Sequence, residues 1–227
     1  MMRKLTELRV LNAIVGFSQS IEHADIDEIH FINKTLLGAL TNEEREKFTK
    51  LLFEYPGFKE LYEAPRADRH NLESLANLPN NTLGHHYAKF MSETGFSVDW
   101  YPRLKEVSPL HFAYNRQYDT HDILHTMTGF WGGSVHELGL QGFYLSQTVP
   151  NPTAMSAFAA ASLNLLKTNE PDRNLLVFDY IFEGYQMGRR AEKVMFRNWE
   201  ADFERDIDEL RNELNIKPYT GHLPPLS

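Results

Sequence analysis

The sequence contains no cysteine among its 227 residues. That absence excludes a disulfide framework, a thiolate metal site, an iron–sulfur cluster and a cysteine nucleophile. Any metal ion held by side chains of this protein must therefore be bound through nitrogen and oxygen atoms.

Long apolar runs are also missing. No stretch approaches the roughly 18 to 20 consecutive apolar residues that a membrane-spanning helix needs. The N-terminal segment carries basic and apolar residues, but Glu7 and Glu22 interrupt it and no small-residue cleavage site follows, so the pattern predicts an amphipathic first helix rather than a signal peptide. A basic, serine-rich mitochondrial leader is not indicated either. We expect a cytoplasmic protein or one peripheral to a membrane.

An excess of positive charge is lacking as well. The chain has 23 basic and 31 acidic residues, for a formal charge of −8, so nothing draws the protein as a whole to nucleic acid. Apolar residues make up 42% and charged residues 24% of the chain, which is typical of a globular protein with a sizeable core. Because no linker-like segment marks a boundary, we interpret residues 1–227 as a single domain.

The alternation of apolar and polar residues that half-buried strands require is scarce, whereas apolar residues recur at helical spacing almost throughout. The predicted fold is all-α, a single domain of several helices. Thr41 and Glu44 form a capping box, and Pro56–Gly57 ends the helix that follows it. Residues 58–110 should form short helices joined by loops, including one over Gly84 to Thr94.

A stronger helix is predicted to begin near Ser108 and to carry Tyr118 to Thr128. Gly129 and then Gly132–Gly133 interrupt it, and another helix should start at Ser134.

Two further helical segments are predicted toward the C-terminus. Asn151-Pro152 resembles an N-cap followed by proline at the first helical position, and it opens an alanine-rich run. From Pro171 almost to Pro218 the pattern is helical, and an apolar stripe predicts a final amphipathic helix made of Trp199, Phe203, Ile207, Leu210 and Leu214.

Three residues of the predicted 118–128 segment have the side chains of a metal site. His121 and His125 are four positions apart, so on a helix they lie about 40° apart around the axis, one turn above the other, with Asp122 on the adjoining edge. Imidazole nitrogens and a carboxylate suit a divalent ion such as Zn²⁺, Mn²⁺, Fe²⁺ or Mg²⁺. Two ordinary helix histidines, one buried and one solvated, are the alternative interpretation.

Glu137 is a candidate fourth ligand, twelve residues after His125. On one unbroken helix the two would lie about 18 Å apart, so the glycines between them must reverse the chain. Ser134-Val-His-Glu137 also has the form of a capping box, in which the carboxylate would only accept a hydrogen bond from the backbone. Both interpretations of Glu137 stay open.

The other histidines give weaker evidence for a role as metal ligands. His85 and His86 are adjacent and diverge by about 100° on a helix, so they cannot face one site, and structural roles are expected. The same angle places His136, beside Glu137, behind the ligands or at the surface.

The HDxxH motif of YNRQYDTHDILHTMTGF is followed, after eleven residues, by the glutamate of WGGSVHELGLQGF. This arrangement resembles the signature of the coenzyme Q biosynthesis protein 4 family. Further matching segments are LPNNTLGHHYAKFM upstream, and GYQMGRRAEKVMFRNWE and LRNELNIKP downstream, so the resemblance covers roughly residues 75–218. Four ligand-type residues at fixed spacing within these segments favour the metal interpretation.

The resemblance implies an α-helical protein that binds one divalent metal ion, zinc by family likeness, through His121, Asp122, His125 and Glu137. It implies a role in ubiquinone or prenylquinone biosynthesis on intermediates with polyprenyl tails, and hence an apolar lipid-binding tunnel or groove. The reaction implied is oxidative loss of the ring carboxylate from a prenylated hydroxybenzoate, with the metal ligands as the catalytic residues and no separate acid or base assigned.

Two other functions are retained. One is a non-catalytic prenyl-lipid carrier or scaffold for a complex of quinone-biosynthesis proteins. The other is a metal-dependent phosphohydrolase, which would need further separated His and Asp ligands. Peripheral membrane contact and a homo-oligomeric state are also expected.

A polyprenyl substrate would require apolar residues along its tail and a polar group at its head. Candidates for the tail, chosen from apolar helix faces, are Phe90, Met91, Phe143, Met155, Phe158 and Phe182, with plain core positions as the alternative. Arg189 and Arg190 are candidates for holding an anionic head group through charge-assisted hydrogen bonds, with a solvated helix face as the alternative.

Overall fold

The computed structural model describes residues 37–38, 40–66, 70–99, 103–131, 134–147, 158–159, 162 and 171–223. These residues are all-α, as predicted, and contain no strand. The helices are α1 (Asn42–Phe53), α2 (Phe58–Glu63), α3 (Leu72–Ala76), α4 (Leu83–Thr94), α5 (Pro109–Thr128), α6 (Ser134–Gln147), α7 (Pro171–Arg190), a 3₁₀ turn (Trp199–Asp202) and α8 (Ile207–Glu213). No helix in these ranges combines the length and apolar character needed to cross a bilayer.

Local sequence signals account for most of these helix ends. Thr41 and Glu44 form the predicted capping box: the Thr41 N–H donates to the Glu44 carboxylate (2.8 Å), and the Glu44 N–H donates to the Thr41 hydroxyl (3.2 Å). Helix α4 begins after Thr82, whose hydroxyl accepts from the His85 N–H. Helix α5 has proline at its first position and ends at Gly129, with α6 starting at Ser134, both as predicted.

The described residues group into two compact units. Residues within Met1–Arg45, Gly133–Arg189 and Gly221–Ser227 make up the first unit, and those within Glu46–Gly132 and Arg190–Thr220 make up the second unit. The prediction of a single domain over residues 1–227 stays a prediction.

The core of the second unit is aromatic. The Phe58 ring lies edge-on to Phe196 (4.8 Å between centroids) and to Phe112 (5.7 Å), and all three rings are buried. Helix α4 packs against both α3 and α5, and it buries Phe90 and Met91 completely or nearly so. This packing holds α5, which carries the predicted metal ligands.

The core of the first unit depends on glycines where α6 and α7 approach each other. A Cβ atom on Gly184 would overlap the backbone oxygen of Gly139, and one on Gly142 would overlap the backbone oxygen of Ile181. Only hydrogen at these positions allows the two backbones to come so close.

The prediction of a single amphipathic helix near the C-terminus is wrong. The five residues of its stripe are all buried, but the chain forms a 3₁₀ turn and then the separate helix α8. The Phe203 and Arg205 carbonyls accept from the N–H groups of Gly84 and Leu83, so they are not available to a helix. Asp206 then caps α8 by accepting from the N–H groups of Asp208 and Glu209.

Two sequence predictions lie outside the described residues. These are the first helix of the N-terminal twenty residues and the opening of the alanine-rich segment at Asn151-Pro152. Phe158, Ala159 and Ser162 of that segment are described and helical.

Candidate metal centre and adjoining cavity

Helix α5 brings three of the predicted ligands together. His121, Asp122 and His125 each offer a ligand atom, and these atoms all lie within 4.8 Å of one another. The Nε2 atoms of His121 and His125 are 3.2 Å apart. Two nitrogens bound to one tetrahedral Zn²⁺ at about 2.0–2.1 Å would be about 3.3 Å apart. The imidazole spacing and the neighbouring carboxylate therefore fit a divalent ion.

The ring of His125 is held in the orientation that a ligand needs. Its Nδ1 atom lies 2.5 Å from the Phe130 carbonyl oxygen, which can only accept, so Nδ1 carries the hydrogen and Nε2 presents its lone pair. The carbonyl reaches this position because Gly129 adopts a left-handed conformation (φ 73°) directly after α5. The Phe90 ring stacks on His125 (5.5 Å, 17°), and His125 is 1% exposed.

Glu137 lies in the first turn of α6, in the first unit, whereas the three α5 residues belong to the second unit. One Glu137 carboxylate oxygen accepts from the Gln141 side-chain amide at 2.8 Å, one turn further along the helix. Its role as a fourth ligand stays a prediction. His136, next to it, has its ring 5.7 Å from that of Tyr180.

A cavity of about 280 Å³ opens beside the ligand group in the second unit. Asp122 is both a member of the ligand group and part of the cavity wall. Apolar and aromatic side chains, including Leu61, Phe112 and Tyr118, share that wall with charged ones. Such a mixed lining suits a small aromatic group that carries polar substituents.

Arg116 and Glu200 form a bidentate ion pair in the cavity wall. The two Arg116 Nη atoms lie 2.6 and 2.8 Å from the two carboxylate oxygens, and Nη2 also donates to the Arg197 carbonyl (2.7 Å). Glu200 further contacts His70 Nε2 at 3.3 Å. Burial raises the pKa of Glu200, but the hydrogen bonds from His70 and Arg116 and the Arg116 charge outweigh it and hold the pKa well below the ordinary 4.5. Glu200 is therefore a carboxylate at neutral pH.

Two further ion pairs lie in the cavity wall, in addition to the Asp122 carboxylate of the ligand group. Arg103 binds Asp119 through two contacts of 2.9 and 3.2 Å, and Arg66 Nε donates to Glu106 at 2.8 Å. The guanidinium of Arg66 also lies over the Phe112 ring, 4.3 Å from its centroid. Apart from Asp122, the arginines and carboxylates of the wall are thus joined in ion pairs, and the wall does not carry one sign of charge.

The six residues predicted to line a lipid tail have different environments. Phe90, Met91 and Phe143 are buried, Phe158 and Phe182 are exposed by 39% and 48%, and Met155 lies outside the described residues. Arg189 and Arg190 are exposed in the last turn of α7. A lipid tunnel and a head-group role for these arginines stay predictions.

The sequence interpretation did not identify His70, Arg116 or Glu200. Arg116 and Glu200 lie in two of the segments that carried the family resemblance, and that was the only signal available. They are 84 positions apart, so no helical period relates them, and only the folded chain brings them into contact.

Comparison with known proteins assigns the family. The sequence profile described as coenzyme Q (ubiquinone) biosynthesis protein Coq4 matches residues 37–220. The chain belongs to the Coq4 family. Coq4 proteins function in ubiquinone biosynthesis, as the names of the related proteins also state.

Two curated Coq4 relatives illustrate the similarity. The mitochondrial ubiquinone biosynthesis protein coq4 of Botryotinia fuckeliana is 31% identical over 165 residues, which cover 71% of this chain and 57% of the relative. The mitochondrial ubiquinone biosynthesis protein coq-4 of Neurospora crassa is 29% identical over 150 residues, which cover 65% of this chain and 42% of the relative. The chain therefore spans about half the length of these relatives.

A solved structure extends the similarity to the fold. The crystal structure of a protein assigned to ubiquinone biosynthesis from Nostoc punctiforme PCC 73102 has a TM-score of 0.77 and 25% sequence identity to this chain. The match covers 93% of this chain and 98% of the other.

Proposed function

We propose that this Coq4 protein is a metal-dependent enzyme that acts on the aromatic head group of a prenylated hydroxybenzoate. The observation that carries the proposal is the group formed by His121, Asp122 and His125, which borders a cavity suited to one substituted ring. Glu137 completes the ligand set in this proposal. Zinc is the ion that the family likeness favours, and Mg²⁺, Mn²⁺ and Fe²⁺ are the other ions that these ligand types admit.

The reaction we propose is oxidative decarboxylation of the ring. The carboxylate carbon leaves as carbon dioxide and a hydroxyl group takes its place, which is a two-electron oxidation that consumes one oxygen atom. Water supplies that oxygen atom, and dioxygen from solution accepts the two electrons and two protons and leaves as hydrogen peroxide. The bound ion would supply Lewis acidity to the carboxylate or phenolate of the ring.

The protein's own residues would position the ring and limit its contact with water. Leu61, Phe112 and Tyr118 supply apolar and aromatic surface, and Arg116 and Glu200 keep the wall rigid through their bidentate pair. The polyprenyl tail would extend along apolar residues elsewhere in the chain, and peripheral contact with a membrane would deliver such a lipid. Other quinone-biosynthesis proteins and a second copy of the chain are the proposed protein partners.

Substitution of His121 by alanine tests this function. The variant loses one of the two imidazoles that set the 3.2 Å spacing, so we expect metal content to fall at least tenfold and turnover of the prenylated hydroxybenzoate to disappear, while bound lipid remains. Elemental analysis, product detection by mass spectrometry and lipid extraction measure the three quantities. His85→Ala is the matched control, because the His85 ring contacts the Ala76 carbonyl and the His86 ring and is not part of the ligand group.

Two outcomes would contradict the proposal. Full turnover by metal-free His121→Ala protein would exclude metal-dependent chemistry at this site. Metal-loaded wild-type protein that binds the lipid but never turns it over would instead favour the carrier function.

A further inference from the structure

The cavity wall contains a second chemical arrangement that the metal site does not use. Glu200, His70 and Tyr87 all line the cavity and contact one another in a row. His70 Nε2 lies 3.3 Å from the Glu200 carboxylate, and His70 Nδ1 lies 3.4 Å from the Tyr87 hydroxyl. We call these three residues the Glu200–His70–Tyr87 row.

The hydrogen positions in this row follow from its chemistry. Glu200 is ionised and can only accept, so the hydrogen of the first contact belongs to His70 Nε2. In a neutral imidazole the other nitrogen is then an acceptor, and the Tyr87 hydroxyl donates to Nδ1. A carboxylate, an imidazole and a hydroxyl in this order are the components of a proton-accepting row.

The surrounding packing holds both rings in place. The His70 ring meets Tyr87 and Phe203 edge-on, at 5.6 and 5.1 Å between centroids. Tyr87 is stacked on Phe203 with the planes 3° from parallel. Tyr87 is 2% exposed, and 10% of the His70 side chain is exposed. Rings held this firmly are suited to keep a relay aligned.

Charged groups surround the cavity face of His70. Glu200 contacts the ring directly, and Arg116 holds that carboxylate from its far side. The other charged groups of the cavity wall are Arg66 with Glu106, Arg103 with Asp119, and Asp122. Because the two arginines are neutralised by their own partners, Glu200 is the charge that acts most directly on the imidazole.

We propose that the Glu200–His70–Tyr87 row accepts the phenolic proton of an aromatic ligand bound in this cavity. This inference rests on the proposed function for the choice of a hydroxylated aromatic acid. Tyr87 meets the ligand, His70 stores the proton, and Glu200 and Arg116 are positioning residues.

The proton transfer balances within the site. The ligand O–H bond breaks and its proton forms a new O–H bond on the Tyr87 oxygen, while the former Tyr87 hydrogen moves to His70 Nδ1. The ligand becomes a phenolate, Tyr87 is unchanged, and His70 becomes an imidazolium beside the Glu200 carboxylate. No electron is transferred, and no other reactant is needed.

Calorimetry of 4-hydroxybenzoate binding tests the row without requiring turnover. Binding to metal-loaded protein is measured at pH 7.5 in two buffers of different ionisation enthalpy, which counts the protons released to the buffer. A phenol is protonated and a free imidazole is mostly neutral at this pH. The bound ion would keep the ligand as a phenolate in all three proteins. Wild-type protein should then retain the phenolic proton on His70 and release essentially none, whereas His70→Gln and Tyr87→Phe interrupt the row and should each release about one per ligand bound. Benzoate, which lacks the hydroxyl, should release none from any of the three proteins.

Matched controls separate the row from general effects of the substitutions. His85→Gln removes an imidazole that contacts the Ala76 carbonyl, and Tyr62→Phe removes a phenol hydroxyl from a ring stacked on Phe58, so both should behave as wild type. Equal proton release by wild type and His70→Gln, or no binding of 4-hydroxybenzoate to wild type, would overturn the inference.

Turnover measurements then distinguish this inference from the proposed function. If the wild type turns over substrate, His70→Gln and Tyr87→Phe should lower kcat about 100-fold with metal content unchanged and KM altered only a few-fold. Wild-type protein could show no turnover while His70→Gln and Tyr87→Phe still release about one proton more than wild type on binding the ligand. That result would refute the decarboxylation and support the Glu200–His70–Tyr87 row. Turnover by wild-type protein, with equal proton release by wild type and both variants, would refute the row and leave the proposed function standing.

Discussion

At the scale of single residues, the metal ligands and the charged pair of the cavity depend on different physics. His121 and His125 face one point because a helix places residues four apart on the same side, and the Phe130 carbonyl then sets the tautomer of His125. Arg116 and Glu200 instead meet across 84 positions of sequence. Removing either partner of that buried pair leaves the other charge without compensation.

Glu200→Gln should therefore destabilise the protein at neutral pH. The substitution leaves the Arg116 guanidinium, 7% exposed, without its bidentate partner, and the expected loss is about 3 kcal/mol in the free energy of unfolding. Urea denaturation at pH 7 measures it. Glu93→Gln is the matched control, because Glu93 pairs with Lys89 at the surface (3.8 Å) and should change stability by less than about 0.5 kcal/mol. Equal stability of Glu200→Gln and wild type would contradict the ion-pair assignment.

The lowered pKa of the Glu200 carboxyl group predicts that the stability of the protein depends on pH. The pKa of Glu200 in the folded protein lies well below its ordinary value of 4.5, so the unfolded chain takes up this proton first as the pH falls. The stabilisation is complete above about pH 5 and is lost as the pH falls below 4.5 toward the folded value. The difference in Tm between wild type and Glu200→Gln should thus narrow from pH 6 to pH 3, whereas a constant difference would count against the pKa shift.

At the scale of helices, local signals predicted much of the structure correctly. The Thr41–Glu44 capping box, the end of α5 at Gly129 and the start of α6 at Ser134 were all readable from a few adjacent residues. The prediction of one continuous C-terminal helix was wrong, because an apolar stripe indicates which residues are buried and not whether the helix that carries them is continuous. Backbone hydrogen bonds from Leu83 and Gly84 to residues 203 and 205 decided that point.

Gly184→Ala should separate α6 from α7. The added methyl group would overlap the backbone oxygen of Gly139, which cannot move away as a flexible side chain could. We expect the free energy of unfolding to fall by about 2 kcal/mol, since the cost of overpacking outweighs the better helix propensity of alanine. Thermal unfolding followed by circular dichroism measures the change.

Gly38→Ala is the control for this substitution. Gly38 is exposed, and no atom of the described residues lies within 4 Å of where its Cβ would be, so the same chemical change should be neutral or slightly stabilising. If both variants were equally stable, the close approach of the two helices would be disproved.

At the scale of the whole molecule, tertiary structure assembles the cavity from segments that are far apart in sequence. Residues 70, 87, 116, 122 and 200 contribute to one wall, and four separate stretches of chain carry them. The chain belongs to the Coq4 family, and the substrates that we propose for this cavity carry long isoprenoid tails.

Native mass spectrometry should detect such a lipid on the intact protein. Protein purified without harsh detergent is expected to carry a bound species of isoprenoid mass, because apolar tails leave water readily. His121→Ala should retain it while losing the metal, since the tail and the ligand group are separate features. Protein that is repeatedly empty and takes up no added polyprenyl compound would contradict lipid binding.

The sequence by itself determined what depends on neighbouring residues: the helical class, several helix ends, and the spacing that puts His121, Asp122 and His125 on one side of α5. It also predicted which C-terminal residues are buried. Only tertiary structure decided that the C-terminal helix breaks, that a cavity lies beside Asp122, and that His70, Tyr87 and Glu200 form a row. The reason is physical: helix periodicity relates residues a few positions apart, whereas contacts between distant residues depend on how all the helices pack together.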